Sequence, residues 1–269
     1  MRAEQAALSG ARIRVRAEAD FEGLAPFAVG RIISPFGPLD GFATGQRVLV
    51  GCPNSSDAEF DAAPGAILPI DDGLAAQDAL LLPHAARALR IWRLLQLEIG
   101  EAAVFTGGTA FGRLLGLMAS WGGALPVVHL ASGPDASDSF HTVNGSTLSA
   151  VEELRSRLAA APGVAAVDTT GHGDLLRILL EALPRWGRLM LAGPGLEPFA
   201  TDFYTDIHRR ALTVCSGPND AASGLADVRG WNADFDRAKR LLTDANRAAQ
   251  LRACGLLTSV DRTVLGPAV

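Results

Sequence analysis

The sequence has little cysteine, a single lysine and a single tyrosine. Its three cysteines, Cys52, Cys215 and Cys254, are widely spaced and form no CxxC pair, so we expect neither a zinc knuckle nor a disulfide framework. Lys239 is the only lysine, and no run of basic residues occurs, which argues against nucleic-acid binding. These absences favour a reduced, cytoplasmic protein.

Long apolar runs are also missing. The first sixteen residues, MRAEQAALSGARIRVR, lack the apolar core of a secretory signal, and no later run is long enough to span a bilayer. Hydrophobic residues make up 48% of the 269 residues and charged residues 20%, with a net charge of −5. This composition is typical of a globular protein with a sizeable core and predicts no membrane partner.

Residues 11–70 have the texture of short β-strands. The segment ARIRVRAEA, residues 11–19, alternates apolar and polar side chains with a period of two. Three further apolar runs, at 27–34, 46–52 and 67–70, are separated by proline and glycine turns. A β-rich region is therefore expected at the start of the chain.

From residue 74 onward the pattern becomes helical, with apolar residues three and four apart up to residue 96 and Pro83 as an interruption or a helix start. Strand and helix patterns then alternate. We predict a strand at 102–106 followed by a turn, further strands at 124–132, 163–171 and 188–195, and helices at 111–123, 149–160 and 174–187. A further strand at 209–217, a helix at 235–255 and a short strand at 262–269 follow. The alternation predicts an α/β fold with a doubly wound parallel sheet.

The segment FTGGTAFGRLLG, residues 105–116, is close to the G-x-G-x-x-G turn that binds dinucleotides. Its first and third glycines are present, but a threonine occupies the second position. The start of the following helix offers free amides to a cofactor pyrophosphate. The candidate cofactor-binding residues of this turn are Gly107, Gly108, Thr109, Ala110, Phe111 and Gly112. The alternative is a structural turn without any nucleotide.

The end of the second predicted strand bears on which cofactor is preferred. An acidic residue there would hold the ribose hydroxyls of NAD, but the chain continues Ala131-Ser132-Gly133, and Asp135 comes later. This favours NADP(H) over NAD(H), with Ser132 near the extra phosphate. No arginine lies in the same loop to bind that phosphate, so a third reading is that cofactor binding has been lost.

Later strand ends supply further candidates for the same site. In open α/β sheets, ligands bind at the carboxyl ends of the strands. Thr170 and Gly171 follow one predicted strand, and Gly193 follows the next. We expect all three to line the cofactor site.

The order of these segments resembles the medium-chain dehydrogenase/reductase superfamily. The matching stretches include VGRIISPFGPLDGFATGQRVLV, ALLLPHAARALRIWRLLQ, VFTGGTAFGRLLGLMASWGGALPVVHL and DIHRRALTVCSG. The resemblance implies a Rossmann-like domain at 76–219 and a reduced, β-rich GroES-like catalytic domain at 1–75 and 220–269. It also implies a homodimer, because in the family the strand matched by DIHRRALTVCSG often joins two subunits.

The departures from the family concern zinc. The family's zinc-type members carry a cysteine where this chain has DFEGLAP, and a Gly-His-Glu where it has PFAVG. The cysteine-rich zinc lobe is absent, and the N-terminal region is compressed. A zinc site needs three or four converging ligands. We therefore expect a metal-free member.

Three side chains are candidates for the chemistry. His84 lies near the position where zinc-type relatives place a third metal ligand, and its imidazole could pass a proton to a carbonyl. Arg87 could bind a substrate carboxylate or a cofactor phosphate. Tyr204 could act as a general acid. The competing readings are a packed helix histidine, a surface arginine and a packing tyrosine.

Other enzyme classes lack their motifs. No G-x-S-x-G nucleophile elbow and no G-x-x-x-x-G-K-[ST] phosphate loop is present. The sequence therefore favours a zinc-independent reductase that moves hydride between NADP(H) and a carbonyl or enone of a small organic substrate, in a biosynthetic pathway for example. The alternative is a protein that has kept the fold but lost redox turnover, and is a non-redox biosynthetic enzyme or a binding or assembly protein.

Overall fold

A computed structural model describes residues 12–21, 27–36, 41–51, 59–107, 109–131, 140–144, 148–193, 199–217 and 232–256. The chain forms two compact units. The first comprises Met1–Ala86 and Asp220–Val269, and the second comprises Arg87–Asn219.

The first unit contains an antiparallel sheet. Its strands are β1 (Arg12–Phe21), β2 (Phe27–Phe36), β3 (Arg47–Gly51), β4 (Glu59–Ala62) and β5 (Ile67–Pro69), in the order β4-β1-β2-β3-β5. The period-two pattern of the sequence matches burial here, since Ile13 and Val15 are buried while Arg14 and Arg16 are exposed. Strand β4 was not predicted, because EFDA has little apolar character. It pairs antiparallel with β1, and the exposed side chain of Arg14 donates to Asp61 across this pair at 3.0 Å.

Helix α1 (Ala76–Leu94) follows this sheet in the chain. Pro83 lies inside the helix and neither interrupts it nor begins it. A proline removes one backbone hydrogen bond, and the burial of Leu81, Leu82 and Ile91 offsets that cost.

The second unit contains a six-stranded parallel sheet. Its elements are β6 (Ala102–Thr106), α2 (Ala110–Trp121), β7 (Val127–Ala131), β8 (His141–Asn144), α3 (Leu148–Leu158), β9 (Val164–Asp168), α4 (Gly173–Ala182), β10 (Arg188–Leu191) and β11 (Thr213–Ser216). The sheet order is β11-β10-β9-β6-β7-β8. Strands β6, β7 and β9 are buried at every residue, as expected for parallel strands covered on both faces. The Rossmann-like doubly wound sheet is confirmed.

The strand order reverses beside β6. From β6 the chain builds outward through β7 to β8, then returns to β9 on the other side of β6 and continues through β10 to β11. Such a reversal leaves a crevice between the carboxyl ends of the two central strands, which is where open α/β sheets bind ligands. The crevice here lies between β6 and β9.

Several element boundaries differ from the sequence predictions. Strand β8 was missed, because HTVN is short and polar. The predicted strand at 209–217 begins only at Thr213, since a π-helical turn (Phe203–Ile207) and a 3-10 turn (His208–Arg210) precede it. The prediction of one continuous helix at 235–255 was wrong. The structure has two helices in this region, α5 (Asn232–Thr243) and α6 (Ala245–Ala253).

Asp244 explains this division. Its side chain accepts hydrogen bonds from the amides of Asn246 and Arg247, both at 3.0 Å, so it caps the start of α6. The predicted short strand at 262–269 lies outside the described residues. No helix in the described ranges is long and apolar enough to cross a membrane.

Candidate functional site

The glycine turn follows β6 at the crevice. Gly107 has a φ of +88°, in the left-handed region that glycine adopts without strain. A Cβ atom on Gly112 would lie 2.3 Å from the carbonyl oxygen of Gly107, so only glycine lets α2 start this close to the strand. The first and third glycines of the motif are therefore required by the backbone. Gly108 lies outside the described residues.

Thr109, at the position of the motif's second glycine, caps helix α2. Its backbone is extended (φ −67°, ψ 159°), which a threonine adopts without strain. Its Oγ1 accepts a hydrogen bond from the amide of Gly112 at 3.2 Å. Ala110 and Phe111 form the first turn of the helix. One of the amides that could face an anionic ligand is thus already bonded to the chain's own hydroxyl.

A buried carboxylate lies at the end of β9. Asp168 is 1% exposed, and its Oδ1 accepts hydrogen bonds from Thr106 Oγ1 at 2.6 Å, Thr170 Oγ1 at 2.8 Å and the Thr170 amide at 3.1 Å. Its Oδ2 accepts the amide of Gly171 at 2.9 Å. Asp168 is not among the predicted site residues. The pattern that points to it is an acid followed by two threonines at the end of an apolar strand.

Thr169 connects the two strand ends at the crevice. Its amide donates to Thr106 Oγ1 at 3.0 Å, and its hydroxyl donates to the carbonyl oxygen of Thr106 at 2.6 Å. A Cβ atom on Gly107 would lie 2.7 Å from Thr169 Oγ1 and 2.9 Å from Thr170 Cγ2. The glycine turn and the loop after β9 are therefore in direct contact.

Gly193 extends the same edge to β10. A Cβ atom there would lie 2.7 Å from the amide nitrogen of Gly171 and 2.8 Å from that of Thr170. The loops after β9 and β10 thus touch through their backbones. The structure brings Gly107, Thr170, Gly171 and Gly193 together at one edge of the sheet. Ser132 lies outside the described residues.

Arg87 lies beside this edge. Its Nη2 donates to the carbonyl oxygen of Ala192 at 3.0 Å, and its guanidinium carbon lies 4.6 Å from the ring centroid of Phe111. A cation held over an aromatic face at this distance is a favourable contact. Arg87 therefore bridges the end of β10 and the first turn of α2, and is not an isolated surface arginine.

The other two candidate side chains have different surroundings. His84, on α1, is 3% exposed and packs edge-to-face against Phe27, with ring centroids 5.6 Å apart. Tyr204 is 64% exposed and stacks on His208 at 5.4 Å. Asp202 caps the turn that carries Tyr204, and hydrogen bonds from the Thr205 hydroxyl and amide lower the pKa of its carboxyl group.

Potential metal ligands do not cluster in the described ranges. No group of three or more histidine, cysteine, aspartate or glutamate side chains there is arranged to hold a metal ion. Cys52 lies outside those ranges.

Comparisons with known proteins give a match in fold only. No family model matches the sequence, and a search of curated proteins finds no match. Among solved structures, a galactitol-1-phosphate dehydrogenase from Escherichia coli superposes with a TM-score of 0.70 at 16% identity, over 87% of this chain and 82% of the other. A 2R,3R-butanediol dehydrogenase from Bacillus subtilis gives 0.66 at 16% identity, over 88% and 83%.

The apo form of the JamJ enoyl reductase gives a TM-score of 0.67 at 14% identity, over 88% of this chain and 80% of the other. These neighbours are medium-chain alcohol dehydrogenase and enoyl reductase structures. The chain has their fold, a parallel Rossmann-like sheet together with an antiparallel β-sheet unit. The resemblance seen in the sequence is thereby confirmed for the fold.

Proposed function

We propose that the protein is a zinc-independent, medium-chain reductase-like oxidoreductase that transfers hydride between NADP(H) and a carbonyl or enone of a small organic substrate. The observation that carries the proposal is the position of the glycine turn. It follows β6 at the crevice where the strand order reverses, against the loop after β9. The medium-chain dehydrogenase fold supports the same class of reaction.

The residues at the crevice fit a dinucleotide in two respects. Gly107 and Gly112 have the backbone geometry that the fingerprint requires of its first and third glycines. The amides of Ala110 and Phe111 at the start of α2 would face the pyrophosphate, and the helix dipole would favour its charge. The guanidinium of Arg87, over Phe111, adds positive charge at the same helix start.

The loops after β9 and β10 would hold the remainder of the cofactor. Thr170, Gly171 and Gly193 meet there, and the close contact of the two loops fixes the backbone against which a ligand would lie. The nicotinamide supplies the hydride chemistry when bound, and the chain supplies binding and orientation. We assign the proton donor to His84, whose buried position on α1 limits its access to bulk water. Tyr204 is the second candidate.

The preference for NADP(H) is supported by the end of the second strand of the Rossmann-like unit. Strand β7 ends at Ala131, so the strand tip offers no carboxylate to the ribose hydroxyls of NAD. We assign the extra phosphate of NADP to the segment that begins with Ser132.

We further propose that the protein is a homodimer joined through β11. This strand lies at one edge of the six-stranded sheet, and Val214 on it is 37% exposed. Thr213 and Gly217 donate their amides toward β10, to Gly187 at 3.0 Å and Leu191 at 2.7 Å. The amide of Val214 therefore points away from β10, where a strand from a second copy could accept it.

The Thr109 cap favours one alternative function. Because Thr109 Oγ1 accepts the Gly112 amide, that amide is satisfied without a phosphate. The alternative is a protein that has kept the fold but lost redox turnover, and that acts as a non-redox biosynthetic enzyme or an assembly protein. In such a protein the turn would only connect β6 to α2, and the Thr109 cap would complete its hydrogen bonding without a ligand.

Cofactor titration distinguishes the two functions. We expect NADPH to quench protein fluorescence and to raise the thermal midpoint of the wild type, and NADH to do so more weakly. Gly108→Val should abolish the effect of NADPH. Gly73→Val is the control and should leave this effect intact, because Gly73 lies in the first unit and a Cβ atom at that position would meet nothing within 4 Å. The reductase proposal fails if neither nucleotide at millimolar concentration changes either signal.

A further inference from the structure

The carboxylate of Asp168 has no role in the proposed hydride transfer, yet it is 1% exposed at the centre of the candidate site. A buried carboxylate is costly unless its oxygens are satisfied. Four hydrogen bonds satisfy this one, and all come from Thr106, Thr170 and Gly171. These residues belong to the ends of β6 and β9, the two strands that flank the crevice.

We propose that Asp168 is a positioning residue that fixes the loop after β9 against the glycine turn, and that nucleotide affinity depends on this. The inference rests on the proposed function, because the affinity concerned is that of the nucleotide. Thr106 transmits the effect across the crevice, since its hydroxyl donates to Asp168 and accepts the amide of Thr169. Thr169 Oγ1 in turn lies against Gly107.

The arrangement needs an acceptor on both carboxylate oxygens. Oδ1 faces three donors and Oδ2 faces the amide of Gly171. An asparagine at position 168 has nearly the same shape, but one of its two terminal atoms is an NH2 group. In either orientation that group faces a backbone amide, that of Gly171 or that of Thr170. Such a donor–donor pair weakens the loop without leaving a cavity.

The test compares Asp168→Asn with a matched control. Asp234, on α5 in the first unit, is also 1% exposed and also accepts a side-chain hydrogen bond, from Arg237 Nη1 at 3.1 Å. Asp234→Asn makes the same chemical change at the same burial, in the unit that does not contain the glycine turn. Measurements on the full chain are the NADPH dissociation constant, the thermal midpoint and amide hydrogen exchange.

We expect Asp168→Asn to raise the NADPH dissociation constant about tenfold or more, in line with the loss of one charge-assisted hydrogen bond. The amides of Thr170 and Gly171 should exchange faster than in the wild type. Asp234→Asn should lower the thermal midpoint with an unchanged dissociation constant. An unchanged dissociation constant in folded Asp168→Asn overturns the proposal, as does unchanged exchange at both amides.

Two further outcomes, an unfolded Asp168→Asn variant and a wild type that binds no nucleotide, can be told apart from a failure of the positioning role. If Asp168→Asn does not fold, Thr170→Val replaces it, because this change removes one hydroxyl donor to Asp168 with little change of shape. Thr170→Val should raise the NADPH dissociation constant severalfold. An unchanged dissociation constant in this variant counts against the positioning role. If the wild type binds neither NADPH nor NADH, the proposed function fails and the affinity part of the inference fails with it. Amide exchange at Thr170 and Gly171 then decides by itself whether Asp168 orders the loop.

Discussion

Thr169 Oγ1 lies 2.7 Å from the position that a Cβ atom on Gly107 would occupy. Position 107 therefore requires glycine for two reasons. Its φ is +88°, and a larger residue would collide with Thr169, which lies sixty-two positions later in the chain. The contact crosses the crevice between β6 and β9. It makes the first glycine of the turn a packing position as well as a turning point.

Gly112 should be the least replaceable glycine of the turn. We predict that Gly112→Ala destabilises the protein by about 3 kcal/mol, because the new methyl group would lie 2.3 Å from backbone rather than from a flexible side chain. Urea unfolding followed by circular dichroism measures the loss. Gly73→Ala is the matched control, because its Cβ enters open space and its stability should change by less than about 0.5 kcal/mol. Equal stability of the two variants would contradict the close helix–strand approach.

Replacing Thr109 should separate helix capping from nucleotide binding. Glycine is nearly as good a helix cap as threonine, so Thr109→Gly should change stability by only a few tenths of a kcal/mol. It frees the Gly112 amide from the Thr109 hydroxyl, and a hydrogen bond from that amide to a phosphate would lower the NADPH dissociation constant about tenfold.

Thr109→Val serves as the opposite variant. It keeps the bulk of the threonine and removes the capping oxygen, so it should destabilise the protein by about 1 kcal/mol without improving NADPH binding. Isothermal titration calorimetry on both variants measures the difference. Weaker binding by Thr109→Gly than by the wild type would show instead that the Thr109 hydroxyl is a ligand of the phosphate.

The edge strand β11 gives a test of the proposed homodimer. Val214→Pro removes an amide that points away from β10, so it should leave the pairing of β10 and β11 intact and convert the dimer into a monomer. Size-exclusion chromatography with light scattering measures the mass of the particle. Val214→Thr keeps the amide and should remain dimeric. A monomeric wild type, or a dimeric Val214→Pro, would rule out association through this edge.

The pair of Arg252 and Asp78 should stabilise the first unit. Arg252 donates to both carboxylate oxygens of Asp78, at 2.8 and 2.7 Å, and Asp78 is only 6% exposed. Arg252→Ala leaves the buried carboxylate without this partner. We expect a loss of about 1–2 kcal/mol, less than for a fully buried pair because the Arg252 side chain is 45% exposed.

Chemical denaturation measures this loss, with Arg240→Ala as the control. Arg240 is an exposed arginine on the neighbouring helix α5, and its removal should change stability by less than about 0.5 kcal/mol. If the two substitutions cost the same, the Arg252–Asp78 pair contributes nothing beyond a surface arginine.

The parallel sheet could be predicted because its central strands are continuously apolar. Strands such as AAVFT and VAAVD are buried along their whole length, which leaves a clear signal in the sequence. The short strands EFDA and HTVN could not be predicted in the same way. Their polar side chains resemble those of loops, and their pairing depends on neighbours far away in the chain. The end of one helix and the start of the next at Asp244 could not be predicted from the sequence, because helix-forming residues lie on both sides of it.

Part of the candidate site could likewise be predicted from the sequence, and part of it could not. The spacing of Gly107 and Gly112 identifies a strand–turn–helix, and the structure shows the backbone reasons for both glycines. Asp168 was not selected, because its partner Thr106 is sixty-two residues away and comes near only when β6 and β9 pair, as they do with Phe105 opposite Val167. The contact of Arg87 with Phe111 likewise depends on how α1 and α2 pack.

Hydrophobic periodicity and glycine spacing are local properties of the chain, so the fold class and the location of the glycine turn could be predicted from the sequence. The tertiary structure was needed to establish what surrounds that turn. It gave Thr109 the role of a helix cap, enclosed Asp168 among four donors and placed Thr169 over Gly107. These relationships depend on strand register and close packing, which bring together residues that no local pattern connects.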